Sequence, residues 1–297
     1  MKKINLLILT IVFTSLSFIG CKKEEVKKDD KKDAVAGDFL APTTQMNRVA
    51  VLEDFTGVRC GYCPDGHVRA KAVEDANPGK FIIIAVHGGQ YAAPQTGWAN
   101  LTTAFGQSLI SQAKVSGYPA GTVSRMLCSD LGVTPQMSGG SAMSRGSWAT
   151  AANKVMAMSA PVNLGSKVTF DEASRKLTVR VDLYYTEEQT SENRLNVALL
   201  QDNIFTKQSG GGANSNNYEQ DHVLRDLITG QWGEVITETK SVGAKITKTF
   251  TYTVPADYNG ATLPPGGGSV VVKDLKVVAF VTKGQTDILN AIELPVQ

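Results

Sequence analysis

Two mostly apolar runs, residues 48–55 (RVAVLEDF) and 80–86 (KFIIIAV), flank a stretch of different texture. From Pro64 onward Val68, Ala72 and Val73 recur at helical spacing among charged residues. The mostly apolar runs predict strands buried on both faces, and the spaced positions predict a helix with one apolar side. Asn77-Pro78-Gly79 stops that helix. Strand, helix and strand in this order predict a right-handed parallel crossover. Residues 88–107 are polar and read as an insertion, followed by a predicted helix over 103–114 that carries Phe105, Leu109 and Ile110. A further strand is expected after Pro119, a loop over 129–147, and a helix over 148–158.

Past Pro161 the period changes. In residues 176–184 (KLTVRVDLY) apolar Leu177, Val179, Val181 and Leu183 alternate with polar neighbours, the pattern of an antiparallel strand with one wet face. Strands are also predicted at 162–170, 194–201, 245–254, 270–282 and 288–294, with a Gly- and Asn-rich loop at 209–217 and a Pro-Gly loop at 264–268. Several strands separated by turn clusters predict an all-β sandwich domain of the Ig-like kind over 161–297.

The N-terminus has a third texture. Lys2 and Lys3 precede an apolar run over 4–19, which ends at Gly20-Cys21. This is the order of a secretion signal, and the run falls short of the about 20 apolar residues of a membrane span. The Gly-Cys ending resembles a bacterial lipoprotein signal, which implies a signal peptide over 1–20 and lipidation of Cys21. Residues 22–33 (KKEEVKKDDKKD) bury nothing, and 21–46 is expected to be a disordered tether to the membrane. Lys23-Glu24-Glu25 resembles a surface-export tag, so the cell surface and the periplasmic face of the outer membrane both stay open. Formal net charge is +2, and no basic stripe lies outside the tether, which argues against a nucleic-acid partner.

Of four cysteines, three remain if Cys21 carries lipid: Cys60, Cys63 and Cys128. An odd thiol count in an exported chain is not a disulfide-stapled scaffold. Cys60-Gly61-Tyr62-Cys63-Pro64 sits between a predicted strand and a predicted helix. A helix N-terminus favours thiolate, so Cys60, expected to be exposed at the mouth of the helix, is the candidate nucleophile, and Cys63, expected one turn inside it, the resolving thiol. Arg59, next to Cys60, is expected to be exposed and to favour the thiolate further.

At this point the chain resembles the thioredoxin-like oxidoreductases over about residues 47–158. Asp54, six residues before Cys60, matches that family's buried proton acceptor. Tyr118-Pro119 matches its cis-proline loop, which implies that Pro119 lies by the reactive sulfur. Tyr118, Gly61, Tyr62 and Arg59 would then contact substrate. Arg59 replaces the family's usual Trp, and roughly fifteen extra residues precede the proline. The fold class implied is an α/β thioredoxin-like domain over 47–160 followed by the β-sandwich. The full layout resembles the Omp28-related outer membrane lipoproteins, through Pro119–Arg125 (PAGTVSR) and the His222-Val-Leu-Arg225 segment.

Two functions remain open. One is a lipid-anchored thiol–disulfide oxidoreductase acting on exported proteins with cysteines, in an open redox direction, with an unidentified reductant or oxidant partner and no cofactor. The other is a surface binding or adhesin-type lipoprotein whose Cys pair is a structural disulfide. Zinc held by the pair with His67 and His87 lacks the usual second ligand pair, and no metal is expected. Cys128 reads as a small buried residue. Tyr218, His222 and Arg225 read either as a hydrogen-bond cluster or as a binding site.

Overall fold

The computed structural model describes residues 38–93, 95–259 and 270–296. The expected signal peptide, Cys21, most of the tether and the 264–268 turn cluster lie outside the described residues. In chain order the elements are β1 (Ala50–Thr56), α1 (Cys63–Ala76), β2 (Phe81–His87), α2 (Gly106–Ala113), β3 (Ala120–Val123), α3 (Cys128–Leu131), β4 (Met143–Ser144) and α4 (Trp148–Met156). There follow β5 (Val162–Asp171), β6 (Lys176–Tyr185), β7 (Asn193–Gln201), β8 (Ile204–Thr206), β9 (Tyr218–Gln220) and β10 (Val223–Leu227). The last are β11 (Glu234–Val235), β12 (Lys245–Thr253), β13 (Leu275–Lys283) and β14 (Thr286–Pro295). The protein is thus mostly mixed sheet with few helices.

The two mostly apolar runs become β1 and β2, which pair in parallel with every residue of both strands buried. β3 pairs antiparallel on the other side of β1, so Asp54 lies opposite Ala85 on one neighbour and Gly121 on the other. One face of this sheet packs on α1 and α4 through Ala50, Leu52, Ala70, Ile83 and Trp148. The other face packs Val51, Phe55, Ile82 and Ile84 against α2 residues Leu109 and Ile110. Burial on both faces is the reason these strands read as mostly apolar runs without alternation.

The sheet does not stop at residue 160. Its order is β14-β13-β7-β10-β2-β1-β3-β4, with β11 also on β7. The seam is a single parallel bridge, Val223 opposite Ala85, with the Ala85 amide donating to the His222 carbonyl at 2.8 Å. β7 alternates across it: Leu195, Val197 and Leu199 face one core, while Ala198 and Leu200 join the cluster of Val51 and Phe55. β13 alternates in the same way, with Val277 and Val281 on one side and Val278 and Phe280 on the other.

A three-stranded antiparallel sheet, β12-β6-β5, covers the first of these faces. Its alternating residues Leu177, Val179, Val181 and Leu183 point into that core, as their period requires. The strands after residue 160 therefore stack as two layers, but one layer is continuous with the sheet of β1 and β2. β8 and β9 form a separate two-stranded hairpin. Among the described residues, no helix is long and apolar enough to cross a membrane.

Candidate active site

β1 ends at Thr56, and a tight turn delivers Cys60, whose amide bonds the Gly57 carbonyl at 2.9 Å. α1 then starts at Cys63 with Tyr62 as its N-cap and Pro64 in the first turn. Proline suits that turn because its missing N–H would have no partner there. Cys63 is thus the first helical residue and Cys60 stands in the turn before it, whereas the sequence reading puts Cys63 one turn inside the helix. The two sulfurs form a disulfide, with the Cα atoms 5.4 Å apart.

The Tyr118–Pro119 peptide is cis. Pro119 is buried and packs on the first turns of α1: a Cβ added at Gly66 would lie 3.1 Å from its Cβ. Tyr118 is half-buried and meets Tyr91 edge-on, ring centroids 5.5 Å apart. Arg59 and Gly61 are exposed, and Tyr62 is 72% exposed with the Arg145 guanidinium 6.0 Å from its ring. The 57–63 turn also leans on the segment before α2: the Arg59 amide donates to the Tyr91 carbonyl, and a Cβ at Gly57 would fall 2.5 Å from Tyr91 backbone.

Asp54 is 1% exposed, and burial pushes its carboxyl up to about 8. Its Oδ1 has no hydrogen-bond partner, and its Oδ2 lies 3.8 Å from His67 Nε2. His67, on α1, bonds Thr56 Oγ1 and the Tyr218 hydroxyl, each at 2.9 Å. Burial first, and the neighbouring His222 second, lower His67 to about 4. Asp54, His67, Tyr218 and His222 line a cleft of about 470 Å³ between α1 and β9, with Lys71, Asp75, Glu219 and Asp221 also in its lining.

One expectation needs correction. The sequence reading requires an open sulfur at residue 60, but Cys60 is 3% exposed and Cys63 fully buried. The cover is the tip of the β8–β9 hairpin. Gln208 Nε2 donates to the carbonyls of Cys60 (3.0 Å) and Gly57 (3.3 Å), and the Ser209 amide donates to Val58 O at 2.8 Å. Gln220 Nε2 in turn donates to Gln208 Oε1 at 2.8 Å. Gly210 (φ +77°) lies so close that an added Cβ would collide with the Gly61 carbonyl.

The sequence does not reveal Gln208 as the cover of the Cys60 turn, Gln220 as its support or Tyr218 as the partner of His67. The only sequence signal was the Gly/Asn-rich loop at 209–217, and nothing in it says what the loop covers. Of the Tyr218–His222–Arg225 group, the first two line the cleft, while Arg225 faces a different pocket.

His87 is buried and, with both ring nitrogens lacking partners, is lowered to about 3 by burial, then by His67 and Arg225. Among the described residues no three His, Cys, Asp or Glu side chains converge as metal ligands. Cys128 is a buried free thiol in the core under α4, its Sγ donating to Ser141 O at 3.3 Å, and burial raises its pKa.

A family model described as outer membrane protein Omp28 matches residues 106–294. Among solved structures, HBP35 of Porphyromonas gingivalis is similar at 19% identity and TM-score 0.61, over 84% of this chain and 76% of that one. A structural-genomics target protein of Agrobacterium tumefaciens is similar at 12% identity and TM-score 0.52, over 84% of this chain and 96% of that one. A domain of the outer membrane lipoprotein Omp28 from Porphyromonas gingivalis aligns at 24% identity and TM-score 0.32, over 46% of this chain and 97% of that one. No curated protein matches the sequence.

Proposed function

This chain belongs to the Omp28 family of outer membrane proteins, and from that premise we propose that it is an outer-membrane thiol–disulfide oxidoreductase with a thioredoxin-like core. The observation that carries the reading is the Cys60–Cys63 disulfide at the start of α1, with cis Pro119 on the first turns of α1 and Asp54 buried on the strand that leads into the pair. The strand order β2-β1-β3-β4, flanked by α1 and α4 on one face and α2 on the other, supports the thioredoxin-like part. Lipid on Cys21 is the proposed anchor.

In the reduced form, the Cys60 thiolate attacks one sulfur of a client disulfide. That bond breaks, one client thiolate leaves, and a mixed disulfide forms. Asp54, as carboxylate, takes the Cys63 proton. The Cys63 thiolate then attacks Cys60 Sγ, releasing the second client thiolate and restoring the disulfide. Run in reverse, the same steps oxidise a client dithiol. An exported dithiol or disulfide protein that exchanges with the pair sets the direction.

A second reading rests on the covered sulfur. Held under Gln208 and Gly210 at 3% exposure, the pair could be a permanent bridge in a surface binding protein.

Trapping separates the two. Cys63→Ser in cells should accumulate mixed disulfides with exported proteins through Cys60, and the wild-type pair should titrate in the range of catalytic dithiols. A clean absence of adducts at normal protein levels, with a potential below about −300 mV, would replace the enzyme by the binder.

A further inference from the structure

We propose that a second pocket, between the start of α2 and β10, binds a small oxyanion through Arg225, the oxyanion being a carboxylate or phosphate group of a small solute. The pocket, of about 280 Å³, is lined by Thr102, Thr103, Phe105, Arg225, Tyr258 and Asn259, with Asp226 on its wall. Its size suits a small anionic group rather than a polymer.

Three observations converge on it. Arg225 is 5% exposed, and its Nε and Nη1 are buried with no hydrogen-bond partner. Native interiors rarely leave a buried charge in that condition, because the lost hydration is not replaced. The Tyr258 ring, 4.7 Å from Cζ, offers a π face but no acceptor for those N–H groups. Burial lowers the Arg225 pKa to about 10, the sign of a cation short of compensation.

Next, α2 opens on the pocket wall. Phe105, the N-cap of that helix, lines the pocket, which places the positive end of the helix dipole at its wall. A guanidinium beside a helix N-terminus is the donor pattern that oxyanions match.

Finally, the walls are tied together. Asn259 Nδ2 donates to Asn100 O (2.8 Å) and Thr102 O (2.9 Å), and the Tyr252 and Tyr258 hydroxyls lie 3.0 Å apart. Asp257 offsets part of the charge, and Asp226 stands on the wall. Asp226 Oδ2 accepts from the Tyr252 hydroxyl at 2.5 Å, and neither carboxylate supplies the missing bonds at Nε and Nη1. Nothing in this pocket belongs to the Cys60–Cys63 site, so the inference stands apart from the redox reading.

Thermal unfolding of the full chain in chloride, phosphate and acetate, at matched pH and ionic strength, tests it. Phosphate or acetate should raise Tm above chloride in a saturable way. A response to phosphate alone identifies a phosphate group, and one to acetate alone a carboxylate. Arg225→Gln should abolish the increment, and Arg225→Lys should weaken the fitted affinity at least tenfold. Equal Tm in all three salts, or an increment that survives Arg225→Gln, overturns the proposal. If Arg225→Gln does not fold, the Arg225 Nε–H resonance of the wild type decides: a saturable shift with either anion supports the site, and an unmoved resonance rejects it.

Discussion

Asp54, His67 and His87 together shape how stability depends on pH. Asp54 is raised to about 8, so between about pH 4 and 8 the folded state keeps a proton that the unfolded state has lost, and stability falls as pH rises through that window. His67 and His87 are lowered to about 4 and about 3, so between about pH 6.5 and 4 the unfolded state gains two protons that the folded state refuses. From about pH 4 to 6.5 the net difference is one proton, and stability rises with pH at about 1.4 kcal/mol per unit. From 6.5 to 8 Asp54 acts alone and stability falls. These three groups therefore place a maximum near about pH 6.5, measurable as the urea midpoint against pH. Asp54→Asn should flatten the alkaline limb, raising Tm at pH 8 while leaving it nearly unchanged at pH 4. It should also slow the release of client from a Cys60 mixed disulfide, read by quenched-flow alkylation.

The hairpin tip between β8 and β9 is the element that controls access to Cys60. Its grip is two side-chain bonds from Gln208 and one backbone bond from Ser209. A hydrogen bond contributes about 1 kcal/mol net, so Gln208→Ala should cost only about 1–2 kcal/mol of stability. The same change should speed dithiothreitol reduction of the Cys60–Cys63 bond several-fold, followed by alkylation and mass shift. An unaltered reduction rate would show that the tip does not shield the sulfur. The Arg125 side chain acts at the same scale, from the end of β3. It donates twice to Glu53 on β1, at 2.9 and 2.7 Å, with both side chains buried. It also stacks 5.3 Å from the Phe280 ring centroid. Breaking such a buried pair costs about 3–5 kcal/mol, so Glu53→Ala should lower the urea midpoint accordingly.

At the scale of the molecule, the continuous sheet makes residues 38–296 interdependent. Ala198, Leu200, Phe280 and Ile288 bury the same cluster as Val51 and Phe55. A chain ending at residue 160 would expose that face and the β2 edge. It should fail to give a cooperative transition by circular dichroism, while the full chain unfolds in one step. A truncated chain that melts cooperatively near the full-length Tm would show the first half to be self-sufficient.

Local order was legible from the residues alone. Mostly apolar runs gave β1 and β2, alternation gave β6, and the CxxCP segment at a strand–helix junction located the disulfide, because each depends on neighbours within a few positions. Pairings across long separations were not legible. Gln208 to Cys60 spans 148 residues and Tyr218 to His67 spans 151, and both start from a loop region with no periodicity to read. The sequence predicted strands at 194–201 and 270–282, but that β7 and β13 bury both faces, and against which partners, was decided only by the sheet order. Arg225 likewise shows one codon's worth of charge in the sequence. That it ends up buried and short of partners depends on how the start of α2 and the segment after β12 close around it, since desolvation is a property of the packed surroundings and not of the residue.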